Sequence, residues 1–117
     1  FVKSEDLPVL YSSATAFIYV SHFEGFGMPI AEAMACGTAV IASDNTAMKE
    51  AASGAVCTVS PHSLESIAQG MRKVLLDSEY RIECEIKGLK VSKKRSWKVS
   101  KQLLVTALSN LNNGAQI

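Results

Sequence analysis

Two carboxylates frame a glycine-spaced turn near the start of the chain. Glu24 and Glu32 stand eight positions apart within residues 21–37, SHFEGFGMPIAEAMACG. Ionised carboxylates only accept hydrogen bonds, so a pair of them suits a ligand rich in hydroxyl groups. Gly25 and Gly27 carry no Cβ, which lets the backbone turn tightly and lets a ligand approach it. Pro29 fits the first turn of a helix, where a missing N–H costs nothing, and Gly37 fits the residue after its end. Amides of Gly27, Met28 and Ile30 at such a helix start face outward with the positive end of the dipole behind them. That is an anion site, and phosphate is its common occupant. Donors for phosphate and acceptors for hydroxyls are together what a nucleotide sugar requires. Ile30, Ala31, Ala33, Met34, Ala35 and Cys36 are all apolar or small, and Glu32 is the one charge among them. The helix therefore reads as buried, with an inward-facing carboxylate that needs a partner. The glycines alone fit a plain α/β helix after a tight turn better, with Glu32 in a salt bridge, because short glycine motifs often occur without a ligand. The lone carboxylate favours a ligand.

The elements that must position this stretch alternate. Residues 3–13 read as a turn and a short helix, with Ser4 and Asp6 as caps and Leu7, Leu10 and Tyr11 on one face. Residues 14–20, ATAFIYV, form a short apolar run typical of a parallel strand buried on both faces. Residues 38–43 and 55–59 are two further strands. Between them, 44–49 reads as a polar loop and 50–52 as a short helical turn. A helix over 64–76 starts at a Ser60 or Ser63 cap, and a second runs from 79 to about 91. Ser96 caps a last helix from 97 to about 111, striped by Trp97, Leu104, Leu108 and Leu111. This order predicts an α/β fold with a parallel sheet flanked by helices. Ligands of such sheets sit beyond the carboxyl ends of the strands. The loops at 24–27 and 44–49 should therefore lie side by side on one rim.

Length and composition set bounds. The chain has 117 residues, 48% hydrophobic and 20% charged, enough for one domain with a core. Residues 1–85 hold eleven acidic and five basic side chains, and residues 86–117 hold seven basic and none acidic. Cys36, Cys57 and Cys84 are an odd set without C-x-x-C spacing, which argues for reduced thiols in a cytoplasmic-type compartment and against a zinc site. The longest apolar run is too short to cross a bilayer. The chain opens at Phe1 in mid-pattern and reads as part of a longer protein.

The residues then carry a name. EGFGMPIAEAMACGTAVIAS, with Glu24 and Glu32, resembles the signature of the retaining glycosyltransferases of family 4. DLPVLYSSATAFIYVS upstream is similar to the helix and strand that lead into it. Glu50, the Gly54 turn, the Pro61 helix start and the Ser96-Trp97 pair downstream are similar as well. The likeness covers nearly the whole chain; Ala39 stands where the family commonly has proline. The resemblance implies the GT-B arrangement, with residues 1–117 as the second half of the Rossmann-like nucleotide-sugar-binding domain, including its C-terminal helices. It implies that Glu32 binds the ribose hydroxyls and that Glu24 positions the transferred sugar. It implies that amides at Gly25, Phe26, Gly27 and Met28 hold sugar and diphosphate oxygens, with Thr46 as a further ligand contact. No metal or other cofactor is expected, since protein donors neutralise the leaving diphosphate. The family's basic pair and its acceptor domain lie upstream of these residues, so the 117 residues alone are expected to be inactive. The acceptor, a glycan or lipid-linked sugar, would be held by that other domain.

Other readings follow from other residues. A non-catalytic nucleotide-sugar-binding or interaction module would keep the same scaffold. A sugar-nucleotide epimerase of similar architecture would need a different acid/base set. His22 lies beside the motif but lacks an evident carboxylate partner for general-base work. His62 reads as an exposed helix-start residue. Ser43, Asn45 and Thr46 suit either ligand contact or ordinary turn chemistry. Lys87, Lys90, Lys93, Lys94, Arg95, Lys98 and Lys101 read first as a solvated helix face and second as a peripheral membrane contact. With Trp97 as the only interleaved aromatic, they do not read as a nucleic-acid surface. The strand at 14–20 would form an apolar edge open to pairing, as a dimer or through an exchanged helix.

Overall fold

The computed structural model describes residues 1–114, and of Thr46, Ala47 and 112–114 the backbone only. Nine elements follow in order: α1 (Leu7–Ser13), β1 (Phe17–Tyr19), α2 (Met28–Ala35), β2 (Val40–Ser43), α3 (Thr46–Ala52), β3 (Cys57–Val59), α4 (Leu64–Leu76), α5 (Ser78–Lys94) and α6 (Trp97–Gly114). The three strands pair in parallel in the order β1-β2-β3. Phe17 stands opposite Val40, and Ile41 opposite Cys57.

β2 is buried along its whole length because both of its faces are covered. Val40 and Ala42 point into one cluster with Ile30, Ala33 and Met34 of α2 and Met48 of α3. Ile41 points the other way, to Cys57, Val59, Val74 of α4 and Cys84 of α5. An apolar run without alternation is what such a strand requires. β1 departs from this expectation. Phe17 and Tyr19 pack toward α2, but Ile18 on the opposite face is 42% exposed. β1 is one edge of the sheet, as expected, and the face carrying Ile18 is only partly covered.

The helix starts explain the remaining differences. α1 begins at the expected place, but neither Ser4 nor Asp6 caps it through its side chain. The polar run 44–49 is mostly helix: Asn45 Oδ1 accepts from Met48 N at 3.1 Å and starts α3. Ser63 caps α4 by accepting from Ser66 N, and Asp77 caps α5 by accepting from Tyr80 N. α5 ends three residues later than expected, its last turn carrying Lys93 and Lys94, which suit the negative end of the helix. α6 runs past 111, and its described side chains are exposed, including Trp97, Leu104, Leu108 and Leu111. No helix among the described residues is long and apolar enough to cross a membrane.

Candidate functional site

The loop after β1 leads into α2 through Gly27, which adopts φ +79° as the N-cap. A Cβ there would lie 3.1 Å from Met48 Sδ, so α3 also packs too close for a side chain. Gly27 O accepts from Ile30 N at 3.0 Å, which removes Ile30 from the expected free amides. The amides of Gly25, Phe26, Gly27 and Met28 have no acceptor among the described residues. Phe26 and Met28 carry exposed side chains at the same place. Four of the expected amide positions therefore fall together at the start of α2 without a described acceptor, Gly25, Phe26 and Met28 exposed and Gly27 buried.

Each carboxylate is held by a tyrosine. Tyr19, the last residue of β1, donates its phenol hydrogen to Glu24 Oε1 at 2.5 Å. Tyr11 of α1 donates to Glu32 Oε2 at 3.2 Å. Phe17 lies between the two phenols, edge-on to Tyr11 at 5.1 Å and stacked with Tyr19 at 5.8 Å between ring centroids. The hydrogen bond to Glu24, then burial, pushes the Tyr19 phenol above its ordinary pKa, and burial first and Glu32 second do the same for Tyr11. Both phenols stay protonated and remain donors near neutral pH.

Glu32 is not the inward-facing residue expected. It is exposed, on the side of α2 opposite Ile30, Ala33 and Met34. At 100° per residue it stands about 200° from Ile30 and so faces away from the core. Ala31 and Ala35 made every face of the helix look apolar. Glu32 therefore carries no burial cost, and it borders a cavity of about 360 Å³ between α1 and α2, walled by Ser4, Leu7, Pro8, Tyr11 and Cys36.

The neighbouring loop is stitched to this one. Ser43 Oγ donates to Ser21 O at 2.6 Å, and Asn45 Nδ2 donates to the same oxygen at 3.1 Å. The two loops lie side by side as expected. Ser43 and Asn45 are spent on holding them together and on capping α3. The side chain of Thr46 lies outside the described residues. His22 and His62 are exposed and face each other at 4.8 Å between ring centroids, a contact between the loops after β1 and β3. No group of three or more metal-ligating side chains occurs among the described residues.

The basic segment 86–117 is not uniformly a solvated face. Lys87 pairs with Glu83 at 2.7 Å. Arg95 turns back onto the end of α3, where Nη1 donates to Ala51 O at 2.6 Å and Nη2 to Ser53 Oγ at 2.8 Å and to Glu50 O. Nothing in the local sequence announces this contact, which spans more than forty residues.

Comparison with known proteins supplies the family. Residues 1–91 match the model described as "Glycosyl transferases group 1". O-antigen chain mannosyltransferase B of Escherichia coli is 38% identical over 97 residues, covering 83% of this chain and 26% of that protein. Serotype-specific mannosyltransferase WbdA of Escherichia coli is 32% identical over 116 residues, covering 99% of this chain and 14% of that protein. O-antigen chain mannosyltransferase RfbU of Salmonella typhimurium is 37% identical over 73 residues, covering 62% of this chain and 21% of that protein. The chain thus spans about a quarter or less of the length of these relatives. A parallel α/β sheet carrying the two-glutamate loop and helix, together with a family match over residues 1–91, shows that this chain belongs to the group 1 glycosyl transferases.

Proposed function

We propose that this chain binds a nucleoside diphosphate sugar for a retaining glycosyltransferase of family 4 that moves a hexose to an acceptor hydroxyl. Mannose is the favoured hexose, because the relatives named above are mannosyltransferases. The observation that carries the reading is the run of unclaimed amides at the start of α2, set between two carboxylates that are held by tyrosines. The diphosphate sits against the amides of Gly25, Phe26, Gly27 and Met28, where fixed donors and the helix dipole favour negative charge. Glu32 accepts from the ribose hydroxyls, and the cavity beside α1 takes the nucleoside end. Glu24 accepts from hydroxyls of the sugar.

In transfer, the bond between the anomeric carbon and the diphosphate oxygen breaks, an acceptor oxygen bonds the same face of that carbon, and the acceptor's hydroxyl proton passes to the departing diphosphate. The departing charge grows on the diphosphate, where preorganised amides stabilise it more than they stabilise the bound donor. Glu24 and Glu32 position the donor, and neither acts as a nucleophile. Nothing in these roles requires a metal. The remainder of a longer protein supplies the acceptor site and further cations.

The reading is tested by incubating the full protein with nucleoside diphosphate mannose and a saccharide acceptor and following the new anomeric signal by NMR. Formation of an α-linked product from an α-linked donor supports it. Inverted product refutes the retaining mechanism, and donor binding without any reaction favours a non-catalytic module.

A further inference from the structure

Arg95 joins the end of α5 to the end of α3 and to the loop that leads into α2. It stands at the C-terminal end of α5, where its amide donates to Ser92 O at 3.0 Å. Its guanidinium serves two further groups. One is the end of α3, whose last carbonyls lack helical donors and whose chain leaves through Ser53 at φ +46°. A planar cation with several N–H groups satisfies Glu50 O, Ala51 O and Ser53 Oγ at once and meets the negative end of the helix dipole. The other is Phe26, whose ring lies 5.8 Å from the guanidinium carbon. Both residues line one groove of about 490 Å³ with Met28 and Trp97.

Phe26 is flanked by Gly25 and Gly27, and a Cβ at Gly25 would meet nothing within 4 Å. Gly25 and Phe26 are exposed and have little packing of their own, yet they carry amides assigned above to diphosphate and sugar oxygens. We infer that Arg95 is a positioning residue: by gripping α3 and seating the Phe26 ring, it fixes the amides of residues 25–28 before the donor arrives. A loop ordered beforehand loses less conformational freedom on binding, so the donor binds more tightly without a new contact to it. The guanidinium is suited to this because its hydrogen bonds lie in its plane while its face is free for the ring. A lysine has one point charge and cannot do both.

The inference rests on the donor reading only for its functional consequence, and two measurements on the full chain separate them. Backbone 15N relaxation reports the loop without a ligand. Arg95→Lys and Phe26→Leu should each lower the order parameters of the amides at 25–28 while those of β2 and α4 stay as before. Titration with nucleoside diphosphate mannose reports the consequence. Each variant should weaken binding by about three- to fivefold, the range expected for one exposed cation–π contact. The double variant should be no weaker than the worse single variant, because the two residues act through each other. Unchanged order parameters at 25–28 in both single variants overturn the inference, as does a double variant whose loss is the product of the single losses. Wild-type chain that binds no nucleoside diphosphate sugar refutes the donor reading alone, and the order parameters still decide whether Arg95 orders the loop.

Discussion

Tyr19 holds Glu24 at 2.5 Å, joining the last residue of β1 to the first acid of the loop that follows it. The strand thus fixes the carboxylate directly. Phe17, two residues earlier on the same face, stacks with Tyr19 and meets Tyr11, which holds Glu32. A short aromatic ladder therefore sets the orientation of both acids.

The ladder has an alkaline signature. Tyr19 is raised above 10.0, first by its hydrogen bond to Glu24 and then by burial and by the charge of that carboxylate. A group raised in the folded state contributes its stability below the unfolded value and loses it as pH climbs through the folded one. Stability should fall on the alkaline side of 10.0. Ring-carbon NMR titration should show Tyr19 ionising late in wild type and earlier in Glu24→Ala. An identical titration in both proteins would contradict the role given to Glu24.

Gly27→Ala should cost about 1–2 kcal/mol, because a side chain in the left-handed region is strained and the new Cβ would press on Met48 Sδ. Gly25→Ala, with open space at its Cβ and no positive φ, should cost less than half as much. Urea unfolding of the two variants side by side checks this. Equal losses would mean that close packing of α2 on α3 does not set the loop.

Asn45 performs two tasks, capping α3 through Oδ1 and tying the loop after β1 through Nδ2. Asn45→Ala should lose about 1 kcal/mol or more, the usual worth of an N-cap with the tie in addition. Asn45→Asp keeps the cap acceptor and loses the tie, so it should recover only part of that loss. Thermal unfolding of both variants gives the ordering.

Much of this architecture was legible in the chain because its signals are local. The periodicity of 64–76 and the Ser63 cap define α4 with its observed bounds. Gly27, Pro29 and Gly37 bracket α2 within a turn, and Gly37 takes the expected positive φ of +77°. The misreadings have equally physical sources. Alanines on every side of α2 hid which face Glu32 occupies. A run of polar residues at 44–49 looked like a loop because its cap, Asn45, is also a turn former. β1 lies at an edge of the sheet as expected, but its composition suits a two-sided strand and so hid the exposure of Ile18. The tyrosine partners of the acids come from β1 and α1, and Arg95 reaches α3 from the far end of α5. Contacts that depend on the fold having closed leave no pattern in a local stretch of sequence.

Everything proposed for the site depends on Glu32 and the open amides of α2 engaging the same ligand. Calorimetric titration of the full chain with nucleoside diphosphate mannose, repeated with Glu32→Ala, tests this most directly. Saturable one-to-one binding in wild type is predicted, weakened about tenfold or more in the variant, as expected for losing charge-assisted hydrogen bonds to ribose. Binding of equal strength in both proteins, or no binding by wild type to any nucleoside diphosphate sugar, would contradict it.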